Sequence, residues 1–227
     1  MGNEQNCATF TGVIRANLHS LKGFSSERDY ERGQTVYCVG DPAEELLLIK
    51  KGQVKIVRIS GDGQQKILDI YQPGEFFGEL CICGGHKRLE QAVALESLSV
   101  TSIKVSAILK LLRHKPEMLL DLLQLLCARL GESYDQIANL AFDNIPRRLA
   151  REILRLSRTP DARAHENGVH LGVSLSHEEL AHLVGTSREV VTTVMKRFRE
   201  RGLLDYSRRN IFIHPKQLEK FLQTPRR

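Results

Sequence analysis

The chain's densest set of hydrogen-bonding side chains lies in SHEELAHLVGTSREVVTTVMKRFRERGLL, residues 176–204. Ser176 with Glu179, and Thr186 with Glu189, have the spacing at which a hydroxyl and a carboxylate cap one another's backbone amides, marking two helix starts. Gly185 stands between them as a turn residue. The first helix offers Leu180, Leu183 and Val184 to a core, and the second offers Val190, Val191, Val194 and Phe198. That leaves Ser187, Arg188, Glu189, Thr192, Thr193 and Lys196 on the outer side of the second helix, near its start. The corresponding chemistry is readout of base edges. An arginine can grip guanine with two hydrogen bonds, a glutamate can accept from the cytosine amino group, and a threonine can meet a phosphate or a thymine methyl.

Just downstream, LLDYSRRNIFIHP alternates apolar and polar residues around a turn that carries Arg208 and Arg209. A hairpin wing there would present both guanidinium groups to phosphates and add affinity without sequence selectivity. Two solvated turn residues are the alternative.

Other residue sets with chemical potential are sparser. Cys81-x-Cys83 with His86 is a soft cluster that could sense redox state or a metal, although two small side chains packed in a β-domain are the preferred reading. His19, His86 and His114 are isolated and no His-x-His occurs, so a metal-dependent β-barrel enzyme is excluded. Nucleophile-elbow, phosphate-loop and paired-carboxylate signatures are missing too, and no enzymatic role is expected. His165, His170, His177, His182 and His214 fall in the basic half, as surface or phosphate-side residues.

The elements that must position these groups follow from composition and pattern. With 227 residues and 41% apolar content the chain can bury a sizeable core. From Asn144 onward 17 Lys/Arg stand against 9 Asp/Glu, and 16 against 18 precede it, so charges of +8 and −2 make up the net +6. A basic C-terminal part suits a polyanionic partner, above all nucleic acid. Five scattered cysteines (7, 38, 81, 83 and 127) form no disulfide framework and suit a reducing compartment. There is no apolar run of about 18 residues, and MGNEQNCATF lacks a basic-then-apolar leader, so no membrane association and a cytoplasmic location are expected.

Between about residues 30 and 107 short β-rich runs alternate with turns: TVYCV, LLLIK, VKIVRI, KILDIY and AVALESLSVTSIKV, separated at Gly33, Gly40, Gly52, SGDG, Gly74 and Gly78. An antiparallel jelly-roll is expected over residues 1–115. From Pro116 the pattern becomes helical. Leu119, Leu123, Leu126, Leu130, Ser133, Ile137 and Leu140 recur in steps of four and three, which describes a seam for pairing with a second copy over 116–143. Leu120, Leu122 and Leu125 are expected to cover the β-domain. Asp143-Asn144-Ile145-Pro146 reads as a hinge, Arg147 to Ser157 as a helix and TPDARAHENG as a loop, so that 144–227 forms the basic, DNA-reading domain.

At these residues the sequence resembles the cyclic-AMP receptor protein / fumarate-nitrate regulator (Crp/Fnr) family, from about residue 25 onward. GDPAEELLLIKKGQVKI, PGEFFGEL and AVALES resemble its β-roll, IANLAFDNIPRRLA its long helix and hinge, and LSHEELAHLVGTSREVVTTVMKRFRERGLL its DNA-binding motif. The resemblance implies an α+β chain with an N-terminal β-roll (jelly-roll, cyclic-nucleotide-binding-like), a long dimerisation helix and a C-terminal winged helix-turn-helix. It implies a homodimer on double-stranded DNA with a near-palindromic site, an allosteric small-molecule effector and, in activators, RNA polymerase as a partner, although no polymerase-contacting surface is identifiable here. Arg188 and Glu189 match the family's base-reading pair and Ser187 a phosphate contact. Thr193 stands where many members place a second arginine, which implies a half-site related to, but not identical with, TGTGA.

Members that bind cyclic nucleotides look like Gly-Glu-Leu followed by Arg-Ser or Arg-Thr, the glutamate holding the ribose hydroxyl and the arginine the cyclic phosphate. Gly78, Glu79, Leu80 and Arg88 match that pattern here, and Ser133 and Tyr134 align with adenine-contacting hydroxyls. Leu89 and Glu90 depart from it. A second carboxylate repels a phosphate unless Glu90 turns into solvent, so the phosphate cradle is degraded and the effector's identity stays open between a cyclic nucleotide and another signal. An iron–sulfur cluster needs several cysteines near the start, where only Cys7 stands, and nothing positive supports haem on Cys81, Cys83 or His86. A cyclic-nucleotide-binding module that acts on a protein partner would leave the basic half unused.

Overall fold

The computed structural model describes residues 23–84, 87–208 and 210–224, with Gly12, residues 14–16 and Leu21, except for the side chain of Cys83. Cys7, His19, His86, Arg209 and the Cys83 thiol therefore lie outside the described set. The chain divides into two compact units: Met1–Arg58 with Asp69–Gln136, and Ile59–Leu68 with Ile137–Arg227.

The first unit carries β1 (Ser25–Tyr30), β2 (Thr35–Tyr37), β3 (Glu45–Lys51), β6 (Phe76–Phe77), β7 (Gln91–Ala94) and β8 (Leu98–Lys104), with most of β4 (Val54–Ile59) and part of β5 (Gln65–Tyr71). They form two four-stranded sheets, ordered β1-β8-β3-β6 and β2-β7-β4-β5. β3 shows why the core lies between layers. Leu46 to Ile49 are all buried, with no alternation, because both faces of the strand are covered. Leu46 and Leu48 join Phe76 and Ile103 in a cluster with Ala107, Ile108 and Leu112 of α1 (Val105–His114) and Met118, Leu122 and Leu125 of α2 (Glu117–Phe142). Each Leu, Ile, Met or Phe side chain removed from water contributes roughly 1.5–3 kcal/mol.

α2 buries Met118, Leu122 and Leu125 and leaves Leu119, Leu123, Leu130, Ile137 and Leu140 between 46% and 62% exposed. Two expectations change along this helix. Leu120 does not cover the β-domain, since it is 64% exposed, whereas Leu126 turns partly inward onto the core cluster. Both follow from helix geometry, because the face opposite Leu122 and Leu125 sits near positions 120, 123, 127 and 130. α1 was not legible as a helix, because VSAILKLLRH continues the apolar run of β8 and its N-cap, Lys104, makes no side-chain cap.

In the second unit Asn144 caps α3 (Ile145–Leu156), accepting Arg147 N at 3.2 Å, with Pro146 in the first turn. The Asp143 carboxylate accepts Arg147 Nε at 3.0 Å and Arg151 Nε at 2.6 Å. Arg147 also donates to the carbonyls of Leu222 (2.6 Å) and Thr224 (3.1 Å), tying the start of α3 to the end of α6 (Pro215–Gln223). The expected 159–168 loop instead contains β9 (Arg163–His165), which pairs with β10 (Gly168–His170). Its residues are all exposed, so no apolar alternation announces it. With β11 (Leu204–Ser207) and β12 (Asn210–Ile213) these strands form a sheet ordered β11-β12-β10-β9.

Candidate nucleic-acid interface and sensor site

Two short helices build the DNA-reading face. α4 (His177–Val184) starts in the expected capping box: Ser176 Oγ accepts Glu179 N at 3.2 Å, and Glu179 Oε2 accepts Ser176 N at 2.8 Å. It ends at Gly185, whose φ of 71° is the left-handed conformation that a glycine C-cap supplies. α5 (Arg188–Glu200) begins one residue later than the Thr186–Glu189 box implies. Ser187 is its N-cap and accepts Val190 N at 3.5 Å. Thr186 is half-buried, and its amide closes the preceding turn on Ala181 O.

α5 buries Val191, Val194, Met195 and Phe198, while Val190, expected in the core, is 40% exposed. Ser187, Arg188, Glu189, Thr192, Thr193 and Lys196 are all exposed, as their spacing requires. Thr192 and Thr193 each donate to the carbonyl four residues back, at 2.9 and 3.0 Å, which orients their methyl groups and remaining lone pairs outward. Glu189 is held below the usual carboxylate range by its own backbone amide and the Ser187 hydroxyl, and so remains an anionic acceptor.

A concavity of about 480 Å³ opens beside the start of α5, lined by Ser176, His177, Glu178, Arg188, Tyr206 and Arg208. Arg208 reaches it from the tip of the β11–β12 hairpin, with φ at 48°. A left-handed residue other than glycine costs roughly 1–2 kcal/mol, and it aims the wing arginine. The sequence reading did not single out Tyr206. Its ring packs against His177 (centroids 5.2 Å) and under the Arg199 guanidinium at 3.8 Å. His177 Nδ1 lies 2.9 Å from Thr192 Oγ1. Burial and the nearby Arg188 cation hold the His177 imidazole below its ordinary pKa. The arrangement offers cations, neutral hydroxyls and helix N-terminal amides to a polyanion.

The residues expected to hold an effector lie in the first unit. Gly78 opens a 3-10 helix, Glu79–Cys83, at φ 79°. A Cβ there would stand 2.4 Å from Arg88 Nη1, and the left-handed backbone strains any residue with a side chain, so glycine suits the position on both counts. Arg88 is 5% exposed and donates to the carbonyls of Gly78 at 2.9 Å and Glu45 at 2.6 Å. Its plane lies over the Tyr37 ring at 4.3 Å, and its Nε is buried without an acceptor. Glu79 pairs at 2.5 Å with Arg129 of α2, whose guanidinium also donates to Phe76 O and stacks on Tyr71 at 4.6 Å. Arg129 escaped the sequence reading, although it precedes Ser133 by one helical turn and its carbonyl accepts the Ser133 hydroxyl at 2.9 Å.

Glu90 does not turn into solvent. It is 9% exposed and accepts the Tyr37 hydroxyl at 3.3 Å. Burial pushes its carboxyl above the ordinary range, against the pull of Tyr37, Arg88 and Arg58. Leu80 and Tyr134 are 49% and 62% exposed, and Ser133 is exposed too. Cys81 is buried with its thiol pushed up to about 11 by desolvation, so it stays protonated and inert. Among the described residues no group of three or more His, Cys, Asp or Glu could hold a metal, and no helix is long and apolar enough to cross a membrane.

Residues 27–115 match the cyclic nucleotide-binding domain, and residues 147–221 match the Crp-like helix-turn-helix domain. Fold and sites together define a transcriptional regulator with a DNA-binding helix-turn-helix and a sensor domain of the cyclic-nucleotide-binding type. A CRP-like cAMP-activated global transcriptional regulator of Mycobacterium tuberculosis is 32% identical over 206 residues, spanning 90% of this chain and 91% of that one. The cyclic AMP receptor protein of Thermus thermophilus is 30% identical over 86% of this chain and 87% of its own. Among solved structures, the c-di-GMP responsive global regulator CLP of Xanthomonas campestris superposes with a TM-score of 0.76 at 26% identity, covering 88% of this chain and 99% of that one. The chain belongs to the Crp/Fnr family of transcriptional regulators.

Proposed function

We propose that the protein is a cytoplasmic, non-enzymatic homodimer that reads a near-palindromic operator through α5 of each copy, under control of a small molecule held at the β-roll. The observation that carries this is the outward face of α5. Arg188, Glu189, Thr192, Thr193 and Lys196 are exposed together beside a concavity that Arg208 completes. Arg188 and Glu189 read guanine and cytosine, Thr193 meets a thymine methyl or a phosphate, and Ser187, Arg208 and Arg209 hold the backbone.

A second copy would cover the apolar stripe of α2, where Leu119, Leu123, Leu130, Ile137 and Leu140 stand exposed. Two-fold pairing then requires a site with matching dyad symmetry. The effector would touch Glu79, Arg88 and Arg129 and shift the population between two settings of α2 and the Asp143–Pro146 hinge. Control requires only that it bind one setting better than the other.

Selection of bound duplexes from a random pool tests the DNA reading. The expected winner is an inverted repeat whose half-site differs from TGTGA at the base pair that Thr193 faces. An unchanged TGTGA repeat, or winners without dyad symmetry, would overturn it.

A further inference from the structure

Four largely buried charges meet at the sensor site: Arg88 and Arg129 against Glu79 and Glu90. Their formal sum is zero. The two more exposed charges that also act on them, Arg58 on Glu90 and Asp69 on Arg129, are of opposite sign as well. Without Glu90 the buried set would carry one positive charge, the complement of a cyclic phosphodiester monoanion. Glu90 therefore supplies inside the chain the negative charge that such a ligand would bring. It is fixed there by Tyr37, which gives its hydroxyl to the carboxylate and its ring face to the Arg88 guanidinium. Arg88 in turn has two of its donors taken by the carbonyls of Gly78 and Glu45. A phosphate arriving at Arg88 would have to share a low-dielectric site with a carboxylate that is only 9% exposed, and both would be desolvated against each other.

We propose that Glu90 is a specificity-determining residue that serves as the built-in counter-ion of Arg88 and makes the sensor site reject cyclic nucleotide monoanions at neutral pH. The effector class this leaves is one without a net negative charge at the Arg88 end. The inference rests on the β-roll being the effector site. It concerns that site alone, so duplex binding through α5 can stand or fall separately.

The test is calorimetric titration of the full-length protein with cyclic AMP and with cyclic GMP, comparing wild type, Glu90→Gln and Glu90→Ser. Glutamine keeps an acceptor for Tyr37, and serine guards against an effect peculiar to the amide; an unchanged thermal midpoint confirms folding. The expected result is at least a ~10-fold gain in affinity for one of the two nucleotides in both variants, abolished when Arg88→Ala is added. Duplex affinity measured on the same samples reports on the DNA reading independently. Wild type binding as tightly as Glu90→Gln would overturn the proposal, and so would variants that stay as unresponsive as wild type.

Discussion

The Asp143 carboxylate, only 1% exposed at the junction of α2 and α3, accepts a hydrogen bond from Arg151 Nε at 2.6 Å. Burial alone would raise its pKa, but the bonds from Arg151 and Arg147 outweigh that and hold it below the usual range. A carboxyl depressed in the folded state stabilises the fold above its unfolded pKa of about 4, and the contribution is lost as pH falls through the folded value. Asp143→Asn is expected to lower stability by roughly 1–3 kcal/mol at pH 7. The deficit should shrink below about pH 3. Urea midpoints at the two pH values measure both.

Arg188 and Arg208 should fail differently. Arg188→Ala removes a paired contact to a base, with an expected loss of about 1–3 kcal/mol and relaxed preference at one base pair of each half-site. Arg208→Ala removes a phosphate contact, so affinity should fall evenly across sequences and the salt dependence should flatten by about one unit per site. Fluorescence anisotropy over a salt series separates the two. Equal salt slopes for both variants would contradict the division of roles.

His177 adds a pH dependence to DNA binding. Thr192 donates its proton to Arg188 O, so its oxygen accepts from His177 Nδ1–H and Nε2 is left to titrate. In the free protein burial and Arg188 favour the neutral ring, whereas a bound phosphate favours the cation. Binding should then take up a proton, and affinity should rise ~3- to 10-fold from pH 8 to pH 6. His177→Gln should flatten that rise, and an unaltered profile would remove His177 from the interface.

The proposed pairing of α2 has a chemical reporter. Exposed Leu120, Leu123, Leu130, Tyr134 and Ile137 fall in steps of three, seven, four and three, and exposed Cys127 fills the seven-residue gap. In a parallel two-fold pair Cys127 would face its own copy. Mild oxidation should therefore give a covalent dimer that survives Cys38→Ser and disappears with Cys127→Ser. Ile137→Asp should weaken association ~100-fold or more by sedimentation.

The outward face of α5 could be read from the sequence because its signals are local. Helical spacing put Arg188, Thr192 and Lys196 on one side, and the Ser176–Glu179 box lies within four residues. The start of α5 was misplaced by one residue because two neighbouring hydroxyls, Thr186 and Ser187, compete for one cap. The sensor site was legible only in part, since its contacts cross the fold. Arg129 reaches Glu79 from another element, and Tyr37 reaches Glu90 across 53 positions. β9 was missed because a fully exposed strand carries no apolar alternation, and β10, three residues long, is too short to show any.

Arg147 bonds the carboxylate of Asp143 and two carbonyls, Leu222 and Thr224, that lie 75 and 77 positions further on. The end of α6 is thereby a brace for the start of α3. Carboxypeptidase trimming that removed Leu222 would leave every exposed side chain of α5 in place and would still loosen the seating of α3, as a door sags when one screw is drawn from its frame.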